Sequence, residues 1–363
     1  MIKFFISLLF FLKLIFVRKD VDVLFYYPQH FNRGLNNENL LFQPLYKSCN
    51  QKNKSYLVFE EPDRKCFQKR NTDTIPFDFL FYLIIFLRKI KFSDKKIAEI
   101  FSNLFFRRFN CKNIIILSQS LLDFFRFCYK ESNIFDLQHG LIHLSKNSYV
   151  EDGSINKRIS KNNINLLLFG KGFKDLLLMS NSSKYVKNKA HVIGFYKKNV
   201  KNFHTGPNRN IIVTLQFTED HSMCDNLILK DELHIFIKNN PQYFFYLRHH
   251  PRYNNEVNLY DILKFENVDI APLQLIDCFE KCSIHLTAYS TVTFEAASFG
   301  IPSIFFTSIQ SKYNMFYRDF QYPIINDLNY IENNYLASSN LVKKWESQFY
   351  SSFNEDKFIS LLK

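Results

Sequence analysis

The chain has 363 residues, 47% of them hydrophobic and 22% charged, and its 47 Lys and Arg against 34 Asp and Glu give a net charge of +13. That balance excludes a disordered or fibrous chain, and the length favours two domains over a single core. The 7 cysteines are scattered without a C-x-x-C pair, so neither a disulfide framework nor a zinc site is indicated and a reducing cytoplasm fits best.

The first residues read MIKFFISLLFFLKLIFVRKD. The apolar run between Lys3 and Lys13 is too short to span a bilayer, and no small-residue cleavage site follows it. An interfacial or core helix is expected there. VDVLFYYP (21–28) and SYLVFEEP (55–62) have the form of buried strands, with helices at 77–90 and 94–108. NIIILSQS (113–120) is a third strand, SLLDFFRFCYKE a helix, and NIFDLQHG a strand running into a polar loop. NINLLLFG (163–170), KGFKDLLLMS and AHVIGFY (190–196) continue as strand, helix, strand. Such alternation predicts a parallel, doubly wound sheet.

The basic stretch KKNVKNFHTGPNRN (197–210) reads as a linker, after which the pattern restarts. NIIVTLQ (210–216), QYFFYLRHHP (242–251), VDIAP, SIHLTAYS and IPSIFF are strands, with helices between them and a closing helix over 340–353. The expected organisation is therefore α/β: two Rossmann-like domains, 1–200 and 201–363, facing each other across a cleft, with a C-terminal helix.

Three stretches carry candidate chemistry. In HLTAYSTVTFEAASFGIPSIFF (285–306), Tyr289, Ser290 and Thr291 stand where a strand turns into a helix. Backbone N–H groups and hydroxyls there suit a phosphate, and Glu295 could accept hydrogen bonds from a ribose diol. The ordinary alternative is a helix cap with a capping-box Glu. In YLRHHPR (246–252), Arg248 and His250 fall on the same side of a strand end, next to Pro251, and could offset charge on a leaving nucleotide. The ordinary alternative is a solvated basic loop. In IFDLQHGLIHLSKNSYVEDG (134–153), Gln138, His139 and Gly140 follow a strand, and Glu151-Asp152-Gly153 forms an acidic turn.

The excess of positive charge favours an anionic partner. Nucleic acid is excluded as the best reading, because the basic residues are dispersed and no nucleic-acid-binding motif occurs. No G-x-G-x-x-G, P-loop or G-x-S-x-G string is present, and Asp20-Val21-Asp22 precedes the first strand, where a metal-binding D-x-D is not expected.

The order Q-H-G, H-P, then S-T followed by Glu in EAASFGIP resembles bacterial GT-B glycosyltransferases that build capsules, O-antigens and lipooligosaccharides. It is similar to the group holding sialyltransferases, polysialyltransferases, Kdo transferases and CDP-glycerol transferases. The sialyltransferase pattern implies Asp152 as base, with His250-Pro251 and the Ser290-Thr291 pair contacting a CMP donor. The CDP-glycerol pattern implies His139 as base instead, and its presence leaves the donor class open.

The resemblance implies a metal-independent inverting transfer from a nucleotide-sugar co-substrate, with no other cofactor, to a glycan or lipid-linked acceptor at the inner membrane surface. Gln138, Gly140, Gly194, Arg248, Tyr289 and Glu295 complete the expected donor contacts, and His143 and Tyr149 are expected to meet the acceptor. A histidine, with an ordinary pKa near ~6.5, is better poised as a base at neutral pH than a carboxylate near ~3.9, so His139 stands first. A transferase of CDP-glycerol or UDP-sugars is the alternative enzyme. A non-catalytic nucleotide-sugar-binding scaffold is the alternative from another class.

Overall fold

A computed structural model describes residues 2–34, 36–63, 68–144, 146–195, 202–218, 221–250, 256–272, 274–306, 315–323 and 327–362. The chain divides into two compact units, Met1–Lys197 together with Ser351–Lys363, and Lys198–Tyr350.

The first unit opens with helix α1 (Ile2–Phe16) and strand β1 (Lys19–Pro28). It continues through α2 (Gln43–Gln51), β2 (Tyr56–Glu61), β3 (Ile75–Pro76), α3 (Asp78–Lys89) and α4 (Asp94–Phe101). Then come β4 (Phe109–Leu117), α5 (Leu122–Cys128), β5 (Asn133–Leu137), a hairpin of β6 (Val150–Glu151) and β7 (Ser154–Ile155), and α6 (Lys157–Lys161). Strand β8 (Asn165–Leu168), α7 (Lys171–Leu178), α8 (Ser183–Lys189) and β9 (Ala190–Val192) complete the alternation. Seven strands form one parallel sheet in the order β3-β2-β1-β4-β5-β8-β9. The order reverses between β1 and β4, which makes the carboxyl edge there the natural ligand crevice.

The apolar strands are buried on both faces, as parallel strands must be. Val23 through Tyr27 and Ile114 through Leu117 are wholly inaccessible. Helix α1 serves this core with one face: Phe11 is fully buried among Phe59, Phe77, Phe105 and Phe106, at ring-centroid distances of 5.5, 5.5, 6.3 and 5.9 Å. Ser7 Oγ accepts from the Phe79 N–H at 3.1 Å, satisfying a donor at the start of α3. The opposite face is open, with Ile2, Phe5, Leu9 and Phe16 each more than half exposed.

At the end of β2 two consecutive carboxylates diverge, as strand alternation requires. Glu60 is buried and accepts through Oε2 from Tyr27, Asn32, Asn71 and Thr74, while Arg70 reaches its Oε1 at 3.0 Å. Arg70 also holds both oxygens of Asp78 at 2.9 Å, so these pairs fasten the segment between β2 and α3.

The closing segment departs from the expected boundaries. Residues 351–363, assigned by the sequence reading to the second domain, run back along the first. Phe195 N–H donates to Ser351 O at 2.8 Å, Ser351 N–H to Phe169 O at 3.1 Å, and Asn354 N–H to Ile193 O at 2.7 Å. The helix Glu355–Leu361 follows, capped by Asn354.

The second unit comprises β10 (Asn210–Thr214), α9 (Met223–Lys238), β11 (Phe244–Arg248), α10 (Tyr260–Leu263), β12 (Val268–Ile270), α11 (Leu275–Lys281), β13 (Ile284–Thr287), α12 (Val292–Ser298) and β14 (Ser303–Phe305). Its five strands are parallel in the order β12-β11-β10-β13-β14, reversing between β10 and β13. Long helix Tyr335–Phe349 packs Trp345 face-on against Phe294, 4.5 Å between centroids. Cys278 and Cys282 are buried in the core beside Ile212 and Phe279, as packed thiols rather than ligands. Within the expected linker, residues 202–209 pack on this unit: Phe203 stacks on Phe299 and His204 Nε2 donates to Phe279 O at 2.8 Å.

Candidate active site

In the first unit the candidate base follows β5. Gln138 is buried, and its side chain is fully engaged in shaping the turn: Nε2 donates to Gly140 O at 2.8 Å and Oε1 accepts from Phe169 N–H at 2.9 Å. This clip between the ends of β5 and β8 fixes where His139 stands. Gln138 was expected as a donor contact; in the structure its side-chain amide bonds within the first unit.

The His139 ring is half-buried, edge-on to Phe31 at 5.7 Å and inclined by 29° to Tyr149 at 6.3 Å. Its Nδ1 is buried without a hydrogen-bond partner among the described residues. Burial, with the positive charges of Lys146, His30 and Arg33, pushes its pKa down to about 4. The imidazole is therefore neutral at physiological pH, the state a general base requires. A Cβ placed on Gly140 would meet nothing nearer than Lys146 Nζ at 3.9 Å, so the space above the turn is open.

The other residues of this loop have different parts. Tyr149, expected to meet the acceptor, is only 1% exposed and donates its hydroxyl proton to Asp136 Oδ2 at 3.2 Å. Asp136, on β5, also accepts from Gln119 N–H at 3.0 Å, and burial raises its pKa to about 7. His143 is part-buried and accepts through its carbonyl from Lys146 N–H at 3.0 Å. Asp152 sits at the tip of the β6–β7 hairpin and is exposed; Asp152 and Gly153 have φ of 51° and 70°, the pair of positive values an Asp-Gly two-residue hairpin turn demands. The acidic turn thus has a complete backbone explanation.

Gly194 likewise has a structural reason. Its φ is +82°, and an added Cβ would lie 2.1 Å from Ser352 O, so the residue makes room for the returning terminal segment. The glycine expected as a donor contact is thus required by the first unit's own framework.

In the second unit the strand ends bring the expected residues together. Thr214, Arg248 and Thr287 are level in neighbouring strands. Thr287 Oγ1 donates to Thr214 O at 3.0 Å and accepts from Ser290 N–H at 3.1 Å, pinning the turn after β13 against β10 at the strand-order reversal. Ser290 is buried and its Oγ accepts from Val292 N–H at 3.3 Å, whereas Thr291 is exposed and caps nothing with its side chain. No capping box forms with Glu295. That residue is exposed on α12. Arg248 donates to Pro272 O at 2.9 Å. His250 is part-buried two residues beyond β11, and Pro251 lies outside the described residues. His221, which sequence reasoning did not single out, hydrogen-bonds through Nε2 with the Tyr289 hydroxyl. Its position in the loop after the first strand of a Rossmann-like half was the available signal.

No protein-family pattern and no curated protein matches the chain. Among solved structures it is similar to the lipopolysaccharide outer core galactosyltransferase WaaB, with a TM-score of 0.54 at 13% identity over 94% of this chain and 98% of that one. It is also similar to a Listeria monocytogenes protein described as a UDP-N-acetylglucosamine 2-epimerase, at TM-score 0.53 and 13% identity over 94% and 95% of the two chains. The S. aureus MnaA–UDP complex matches at TM-score 0.50 and 14% identity over 94% of each chain. The fold is thus α/β of the GT-B class, built from two Rossmann-like units.

Proposed function

We propose that the chain is a glycosyltransferase that moves a sugar from a nucleotide-activated donor to a surface glycan or glycolipid acceptor with inversion. The observation that carries this reading is the gathering of Arg248, Tyr289, Ser290, Thr291 and His221 at the strand-order reversal of the second unit. Cationic and hydroxyl groups at that edge suit the phosphates of a nucleotide, with His250 beside them. The first unit supplies the base: His139 takes the proton of the acceptor hydroxyl as the nucleotide leaves from the opposite face of the sugar. Asp152 is the second candidate for that role.

CMP-linked sugars are the donors suggested by the motif order; two of the similar structures are named for UDP or a UDP-sugar, which sets uridine donors beside them. Because one of those is described as a 2-epimerase, the products of a UDP-sugar incubation should be examined for epimer as well as for transfer. The deciding experiment is a thermal-shift screen with CMP, CDP, UDP, GDP and their sugars on the full chain, repeated with Arg248→Ala and Ser290→Ala. One nucleotide series should stabilise the wild type and lose its effect in both variants. Stabilisation by none would remove the reading.

The acceptor side faces a membrane surface in this proposal. No helix among the described residues is long and apolar enough to cross a membrane. Helix α1 instead presents Ile2, Phe5, Ile6, Leu9, Leu12 and Phe16 on one exposed stripe at helical spacing. Arg18, Arg107 and Arg108 line a recess of about 630 Å³ at its far end. Apolar contact together with positive charge fits an anionic leaflet.

A further inference from the structure

The first unit contains a recess of about 500 Å³ at the carboxyl ends of β1 and β2 that the reading above leaves unused. One wall is the face of α3 carrying Phe81, Tyr82, Ile85 and Phe86; the other is formed by Pro28, His30, Glu61 and Asp63. We propose that this recess is the acceptor subsite and that it takes a pyranoside with an apolar aglycone. The inference rests on the glycosyltransferase reading for the role of the site, but not for the binding.

The chemistry of the two walls points to such a ligand. A pyranoside has apolar C–H faces and a rim of hydroxyl donors, so it needs aromatic surface on one side and acceptors on the other. Phe81, Tyr82 and Phe86 supply the first. Glu61 and Asp63 supply the second, and they are held ready. Tyr26 and Ser120 both donate to Glu61 Oε2, so among the described residues Oε1 accepts nothing. The His30 imidazole lies 3.0 Å from Asp63 Oδ2. Among the described lining residues two carboxylates stand against one lysine, Lys89, and one histidine, which disfavours phosphate and separates the recess from a nucleotide site.

Position gives the role. His30 packs against Phe31 at 4.3 Å, and Phe31 in turn meets the His139 ring at 5.7 Å, so the recess is one aromatic ring from the candidate base. Behind Glu61, the loop after β4 holds Ser118, Gln119 and Leu121 at positive φ, a strained backbone fixed by the bonds from Gln119 N–H to Asp136 and from Ser120 to Glu61. Phe86 is 56% exposed at the rim and Ile90, one turn on, is 50% exposed, so an apolar aglycone leaving the recess has a surface to follow.

Saturation-transfer NMR on the full chain, with no nucleotide present, tests this. The probes are n-octyl β-D-glucopyranoside and n-octyl β-D-galactopyranoside, against 1-octanol and the methyl glycosides. At least one octyl glycoside should show transfer to its ring protons, several-fold stronger than its methyl counterpart, and 1-octanol should not displace it. Glu61→Gln and Asp63→Asn, each folding with a wild-type thermal midpoint, should cut that signal at least fivefold, and Phe86→Ala should weaken the octyl preference alone. Transfer unchanged in both carboxylate variants, equal competition by 1-octanol, or no transfer to ring protons would each overturn the proposal. Because no donor is needed, failure here is distinct from failure of the transferase reading, which shows as absent nucleotide binding.

Discussion

The His139 imidazole stands edge-on to Phe31, with centroids 5.7 Å apart, and that contact places the candidate base in an apolar setting that keeps it neutral. Its protonation is delayed to about pH 4. If His139 removes the acceptor proton, the base is already competent across neutral pH. Then kcat/KM should run level from pH 8 to pH 5 and fall only as pH approaches 4. His139→Ala should lose on the order of 10²–10⁴ in kcat. Asp152→Asn, at an exposed hairpin tip, should retain most activity. The reverse pattern in the two variants would assign the base to Asp152.

Gly140 and Gly194 should part company on substitution. Gly140→Ala meets open space and should leave the thermal midpoint within a degree or two of wild type. Gly194→Ala drives a Cβ into the Ser352 carbonyl from a left-handed backbone and should cost about 2–4 kcal/mol in urea unfolding.

His285 predicts an acid limb in stability. It is fully buried in β13, its Nε2 2.8 Å from Thr214 Oγ1 and its Nδ1 2.7 Å from Ser303 Oγ, and burial lowers its pKa to about 3. Between the unfolded value near ~6.5 and about 3, the unfolded chain binds a proton that the folded chain refuses. Stability should therefore fall as pH drops through that window, by up to about 1.4 kcal/mol per unit from this group. His139 and His191, both lowered to about 4, act with the same sign. Urea midpoints at pH 7 and pH 5 should converge in His285→Asn relative to wild type, from a lower starting stability.

The α1 stripe should govern membrane partition. Co-sedimentation with vesicles of three parts phosphatidylcholine to one part phosphatidylglycerol should fall at least tenfold in Phe5→Glu with Leu9→Glu. The residual binding of wild type should weaken as salt rises, since the arginine contribution is screened. Retention by the double variant would detach the stripe from any membrane role.

Much of the framework was legible because parallel strands announce themselves as continuous apolar runs, and VDVLFYYP, NIIILSQS and NIIVTLQ all became central strands. Ser290 and Thr291 were legible for a related reason: hydroxyls directly after such a run mark a strand-to-helix turn. Asp152 reads two ways because Asp-Gly is the signature of a hairpin turn as well as of an acidic motif. Tyr149 marks a limit of local reading, since nothing near it in the chain reveals that its hydroxyl donates to Asp136. The recess against α3 could not be read from the chain at all, since its two walls are joined only by packing.

The return of Ser351–Lys363 to the first unit has a consequence for how the protein is made. Gly194 and Ile193 must wait for Ser352 and Asn354, which leave the ribosome only after residues 198–350, the segment that carries every strand of the second sheet. The first unit is therefore completed only after the second has been made. During synthesis the edge beyond β9 stays unsealed, and a nascent chain stalled before residue 351 should be the species most prone to capture by chaperones.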